Sequence, residues 1–241
     1  MFLICLIYFI PKEKRRFDLQ KNIINQYIFL LIIIGVIAFH LLEVNVIDAP
    51  VTNWIGFDFA DNIRGIEGDT VFWFSQHWTP ILVYFFVIIY IGVYTFTLWF
   101  APLYFIITDD KKAMKTLAYG LLLIYIVALP FFLFLPITNV YTYYNVGSAL
   151  EGVIPSIDNF YYFTTTQNNV LPSLHTALTI LIAYSVSLTG NKKFTYFTYI
   201  VMMLVIISVI YLSIHWIIDV ITGLLLSIGV IYILKKYMVK Y

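Results

Sequence analysis

Long apolar runs separated by short polar clusters dominate the chain, and six of them predict membrane-crossing helices. They cover roughly residues 27–42, 80–100, 116–135, 171–188, 194–212 and 216–234, where a helical crossing takes about 20 residues. A further apolar stretch, MFLICLIYFI at residues 1–10, is too short to span and lacks the basic start and small-residue cleavage site of a signal peptide. It predicts a short cytoplasmic interfacial helix ended by Pro11. The second run continues as APLYFIIT, so Pro102 is expected to kink one long helix rather than end it. No repeat, linker or low-complexity tract interrupts the pattern. Residues 1–241 therefore read as one membrane domain with two sizeable loops, 43–79 and 136–170, on one side.

Composition agrees with that pattern. With 62% hydrophobic and 11% charged residues, the chain is an all-α integral membrane protein rather than a soluble domain. The single cysteine, Cys5, excludes an internal disulfide and a zinc-thiolate cluster. Charge distribution then orients the spans. Lys12, Lys14, Arg15, Arg16 and Lys21 precede the first span; Lys111, Lys112 and Lys115 follow the second; Lys192 and Lys193 follow the fourth; Lys235, Lys236 and Lys240 follow the sixth. These are 13 of the 14 basic residues, all on one side of a six-span plan, which the positive-inside rule makes cytoplasmic. Both termini are then inside, and Arg64 is the only cation on the outer side.

Two polar constellations fall at the outer ends of spans. The first is LPSLHTAL, residues 171–178. Pro172 suits a first helical turn, so the fourth span is expected to start at Leu171 or Pro172. The N–H groups of Ser173 and Leu174 would then point outward with the positive end of the helix dipole, an anion site within reach of His175. The second is SIHWIID, residues 213–219, with His215 in a turn and Asp219 four residues later on the same helix face. That spacing lets the carboxylate accept the imidazole Nδ1–H, fix the tautomer and leave Nε2 free as a nucleophile. Intramembrane carboxylates are costly and so point to function.

The set Pro172-Ser173-x-His175, then Ser208, then His215-x-x-x-Asp219 resembles the second and third signature motifs of the type 2 phosphatidic acid phosphatase superfamily. The resemblance covers the six-span plan and is most specific from about Asn168 to Gly223. It implies that His215 attacks phosphorus to give a phosphohistidine, that Asp219 orients it, and that His175 protonates the leaving oxygen, with Ser173 and Ser208 on the substrate-binding side. The chain departs from the pattern in two places: Val209 stands where an arginine usually follows the serine, and the lysine and Arg-Pro pair of the first motif are missing. A phosphoryl transition state still needs its spread charge met. Arg64, in DNIRGIEGD, is the candidate to supply that charge by folding over the site. Loss of these cations resembles the branch of aureobasidin-sensitive inositol phosphorylceramide synthases, which move a phospho-headgroup between lipids and need no cofactor.

The favoured expectation is a metal-independent lipid phosphatase or phosphotransferase in the cell membrane, with its site on the extracytoplasmic side. Its partners would be a lipid phosphate and a polyol or other alcohol acceptor, not nucleic acid; simple lipid-phosphate or polyprenyl-pyrophosphate hydrolysis is the near alternative. Two other classes stay open. One is a zinc-dependent membrane hydrolase using His175, His215 and Asp219 as ligands; the other is a non-enzymatic lipid binder or scramblase. His40 and His77 read as interfacial hydrogen-bonders, and the acid-rich outer loops as solvated surface. Gly223 is expected to permit close helix packing.

Overall fold

The computed structural model describes residues 2–14 and 18–238, without the side chains of residues 2–4, 158–160 and 238. Met1, Arg15, Arg16 and Lys240, all used in the pattern above, lie outside the described residues. Every regular element among those described is helical. Helix α1, Phe2–Phe9, ends before Pro11 as expected. Phe9 and Ile10 are buried and Phe9 packs on Phe100 and Phe194, so its last turn is anchored in the protein.

The membrane helices follow as α2 (Leu19–Ile55), α3 (Pro80–Thr108), α4 (Lys111–Phe134), α5 (Leu174–Ser187), α6 (Lys192–Tyr211) and α7 (Ile217–Tyr237). Five are long and apolar enough to cross a membrane; α5 is not, with 14 residues. At 1.5 Å per residue it reaches about 21 Å of the roughly 30 Å hydrocarbon thickness. The fourth span is thus shorter than the expected 171–188. Ser173 has extended dihedrals, and its Oγ accepts the Thr176 N–H, which makes it the N-cap and leaves Leu171 and Pro172 outside the helix. Residues 165–173 lead into α5 as non-helical chain that bonds to the segment after α4: the Ile137 and Asn139 N–H groups donate to the Asn168 and Gln167 carbonyls at 2.8 Å. Non-helical backbone is tolerated beside a bilayer where protein surrounds it, as here around buried Val170 and Ser173.

Helix α2 differs from expectation at both ends. Its N-cap is Asp18, whose carboxylate accepts the Lys21 N–H at 3.0 Å, so the helix begins before the apolar run does. At its other end a π turn over Glu43–Ile47 carries the helix on to Ile55, inside what reads from sequence as loop. Buried Asn22 and Gln26 tie α2 to the end of α3 through the carbonyls of Ile106 and Phe105. Helix α3 continues through Pro102, as the sequence predicts, after a π turn over Ile88–Tyr94.

Helix α5 is the centre of the bundle and touches α3, α4, α6 and α7. Its Ala177, Leu181, Ala183 and Val186 are fully buried, which matches a helix apolar on every side. Phe9, Met114 and Leu234 share one core cluster, Lys14 pairs with Asp110, and Lys235 lies over Tyr184 at the end of α5. The basic segments thus gather at one end of the bundle; the other end carries both histidine motifs.

Candidate active site

Two backbone contacts bring together motifs 40 residues apart. The Ser173 N–H donates to the Asp219 carbonyl at 3.0 Å, joining the lead into α5 to the first turn of α7. Gly223, one turn further along α7, lies against Ser173: a Cβ there would come within 2.5 Å of the Ser173 carbonyl oxygen. No other residue fits without moving backbone, the close approach that small residues allow between membrane helices. The turn before α7 is held by the Val209 carbonyl, which accepts from both Ile214 N (2.9 Å) and His215 N (3.1 Å), with Ser213 in a left-handed conformation at φ 57°. The Val209 side chain packs in an apolar core with Leu150 and Ile157, so no charge occupies that position.

The side chains form one hydrogen-bonded line. Asp219 is fully buried; its Oδ2 accepts from the Trp216 N–H at 2.8 Å and faces His215 Nδ1 at 3.3 Å. A carboxylate only accepts, so the neutral His215 ring carries its proton on Nδ1 and Nε2 is bare. His175 Nδ1 lies 3.1 Å from that Nε2 and is therefore its donor. His175 Nε2 is then an acceptor, and the Tyr90 hydroxyl, 2.8 Å away, donates to it. Tyr161 completes the line with a 2.9 Å bond to Tyr90. From Tyr161 to Asp219, all four donors face the carboxylate.

Of the residues singled out from sequence, His175, His215 and Asp219 converge here. Ser173 supports the site from behind as the α5 cap, and is not positioned to hold a ligand in the cavity: it is fully buried with its Oγ on Thr176 N. Its N–H is consumed by Asp219, so the expected outward-facing pair of amides at Ser173 and Leu174 is not formed. Ser208 is buried inside α6, donating to the Val205 carbonyl at 2.7 Å. Arg64 is half exposed; its Nε donates to Asp69 Oδ1 at 3.0 Å and its guanidinium lies over Tyr144, so its charge is spent on the loop surface. Tyr144 and Arg64 in turn hold the Asp69 carboxyl below its usual range. His77 bonds to the Trp73 carbonyl.

Sequence reasoning passed over three groups. Tyr90 and Tyr161 are two; Tyr90, in the middle of the apolar run IIYIG, is too deep for an interfacial belt, and that depth is its signal, while Tyr161 in DNFYYFT carries none. The third is Glu67, which read as solvated acid. It ends the helix Ala60–Glu67 and accepts from Ile217 N at 2.9 Å and Ile218 N at 3.4 Å. The anion site at the start of α7 is thus filled by the protein's own carboxylate. Burial pushes the Glu67 carboxyl above its usual range, partly offset by those two amides.

His175 and His215 line a cavity of about 340 Å³ that also runs beside Ile33, Ile37, Leu98, Trp99 and Leu178. Among the described residues, no Lys or Arg lines it. The donor set does not suit a single metal ion: Asp219 meets His215 at Nδ1 while His175 meets it at Nε2, on the opposite side of the ring. Among the described residues no group of three or more His, Cys, Asp or Glu gathers as a metal site.

The family model described as the PAP2 superfamily matches residues 66–233, which include every member of the hydrogen-bonded line. An uncharacterized protein of Methanocaldococcus jannaschii is 35% identical over 101 residues, 41% of this chain and 40% of its own length. The matched stretch is thus about two fifths of that relative. No solved structure matches.

Proposed function

The chain belongs to the PAP2 superfamily of phosphatases, and on that premise we propose that it transfers the phosphoryl group of a membrane lipid through a phosphohistidine on His215. The observation that carries this reading is the polarised line Tyr161, Tyr90, His175, His215, Asp219. His215 Nε2 attacks phosphorus; the N–P bond forms as the P–O bond to the lipid breaks. The His175 atom that faces the attacking nitrogen is Nδ1, so the proton for the leaving oxygen comes from there. Asp219 keeps the His215 proton on Nδ1 and stabilises the charge on the ring as the bond forms. Water or an alcohol then attacks phosphorus, the N–P bond breaks, and the attacker's proton returns to His175.

The two histidines bond each other at 3.1 Å. A phosphate must separate them, so this geometry is the resting site, and substrate entry replaces their bond. A lipid substrate is supported by the apolar walls of α2, α3 and α5 that continue from the histidines. An extracytoplasmic site is supported by the gathering of the described basic segments at the opposite end of the bundle. Transfer to an alcohol, as in the inositol phosphorylceramide synthase-like branch, is the form of the reaction we favour. With no Lys or Arg on the cavity wall among the described residues, His175 takes up a second proton as substrate replaces its bond to His215, its Nε2–H then donating back to Tyr90, and that charge meets the phosphate.

The test is direct. Purified protein incubated with radiolabelled short-chain lipid phosphate and quenched in base should hold an acid-labile, base-stable label that is absent in His215→Ala. Activity abolished by chelators and restored by zinc would overturn the reading. Mass spectrometry of products with and without an added polyol separates transfer from hydrolysis: free phosphate alone counts against transfer.

A further inference from the structure

The same cavity has a second polar end, which the phosphoryl chemistry does not use. It is built on the π turn of α2. Glu43 opens that turn with no exposed surface, on the cavity wall; π turns widen a helix and often mark functional positions. A buried carboxylate is costly without partners. Here Glu43 has two neutral donors, Asn169 Nδ2 at 2.8 Å on Oε1 and the Tyr125 hydroxyl at 3.2 Å on Oε2.

Around it stands a surplus of acceptors. His40 Nε2 bonds the Thr164 carbonyl at 3.0 Å, so in the neutral ring Nε2 holds the proton and Nδ1 is bare. That bare Nδ1 faces Glu43 Oε2 across 3.6 Å, acceptor against acceptor. Asn169 Oδ1 is buried without a partner, and so is the Thr166 hydroxyl. All of these residues line the cavity that reaches His175 and His215, and Asn169 lies on the segment that leads into His175. The unmet demand is mostly for donors, but the unpartnered Thr166 hydroxyl also has a proton that needs an acceptor. A hydroxyl group both donates and accepts; an ammonium only donates.

We propose that His40, Glu43, Thr166 and Asn169 form a subsite for the hydroxyls of a polyol, borne either by a free acceptor or by the headgroup of the donor lipid. The inference rests on the phosphoryl-transfer reading for its use in turnover, but not for binding. The test has two arms. Wild-type protein in nanodiscs is melted with increasing myo-inositol, glycerol or choline. A polyol should raise the melting temperature, and Glu43→Gln or Asn169→Leu should raise its half-saturating concentration about tenfold or more, as for loss of a bond to a charged group. In turnover, the KM for the free polyol rises by a similar factor if the acceptor occupies the subsite. If the headgroup does, the rise is in the KM for a polyol-headed lipid. His40→Gln serves as a milder variant should either of the others fold poorly.

Stabilisation by choline and not by polyols overturns the proposal, as does wild-type protein that no polyol stabilises and whose variants keep the wild-type KM for a polyol-headed lipid. Absence of the phosphohistidine label in wild type instead refutes the reaction while the melting arm still judges the subsite.

Discussion

The two polar ends of the cavity are both buried and both built around a carboxylate, yet they are satisfied in opposite ways. At the histidine end each donor finds one acceptor, in a line that ends on Asp219. At the Glu43 end the acceptors outnumber the donors, and His40 Nδ1, Asn169 Oδ1 and the Thr166 hydroxyl are left without partners. A line in which every donor has its acceptor, with only the Asp219 Oδ1 left over, fixes tautomers and moves protons; an end with several atoms unmet waits for a ligand's hydrogen atoms. The comparison assigns chemistry to one end and recognition to the other.

The largest break in that comparison comes from the histidine end. His215→Ala removes the attacking atom, and turnover of lipid phosphate should fall by on the order of 10⁴-fold or more. Asp219→Asn leaves the shape but lets the His215 proton move to Nε2, with an expected loss of about 10³- to 10⁴-fold in kcat; a loss under tenfold would show that Asp219 is only a helix cap. Tyr90→Phe deletes one positioning donor behind His175. About a tenfold loss in kcat, with a displaced pH–rate profile, separates positioning from packing, because a packing defect leaves the profile in place.

Smaller effects probe the frame between the two ends. In Gly223→Ala the added methyl meets the Ser173 carbonyl, so stability measured by melting in detergent should drop by about 1–3 kcal/mol. Glu67 offers a pH test. Its folded carboxyl titrates above the usual range because of burial, so the neutral form suits the folded state better than the charged form. Stability from this group is present below the ordinary glutamate range and is lost as pH rises through the folded value. Glu67→Gln should therefore flatten that part of the melting-temperature profile. The smallest effect is expected at Arg64, whose partner is Asp69: Arg64→Ala should change turnover by less than about threefold, whereas a loss on the order of 10²-fold would place its charge on the phosphate in the working enzyme.

Much of the fold was legible because the bilayer imposes a simple rule: apolar length gives helices, and lysines mark one end of the bundle. Pro102 inside α3 and the stop of α1 before Pro11 were readable from proline geometry. The start of α5 was not. Pro172 suits a first turn, but Ser173 is the better cap, and its own N–H bonds across to the Asp219 carbonyl rather than along a helix. The extension of α2 through Glu43–Ile47 was hidden as well, since EVNVIDAP reads as polar loop and becomes helix by packing against the segment carrying Asn168 and Asn169.

For the site, sequence by itself determined the chemistry that one short segment can hold: His215 and Asp219, four residues apart, do meet, although His215 stands one residue before the N-cap Trp216 and not on the expected face of α7. It also placed His175 at the same end, because counting spans is enough to say which helix ends meet. What only the tertiary structure decided is which groups touch across segments. The Tyr90 and Tyr161 hydroxyls behind His175, the Glu67 carboxylate on the first amides of α7, the surface pairing of Arg64 and the hydroxyl-seeking end around Glu43 all depend on contacts between distant parts of the chain. Local periodicity carries no record of such contacts; packing in three dimensions sets them.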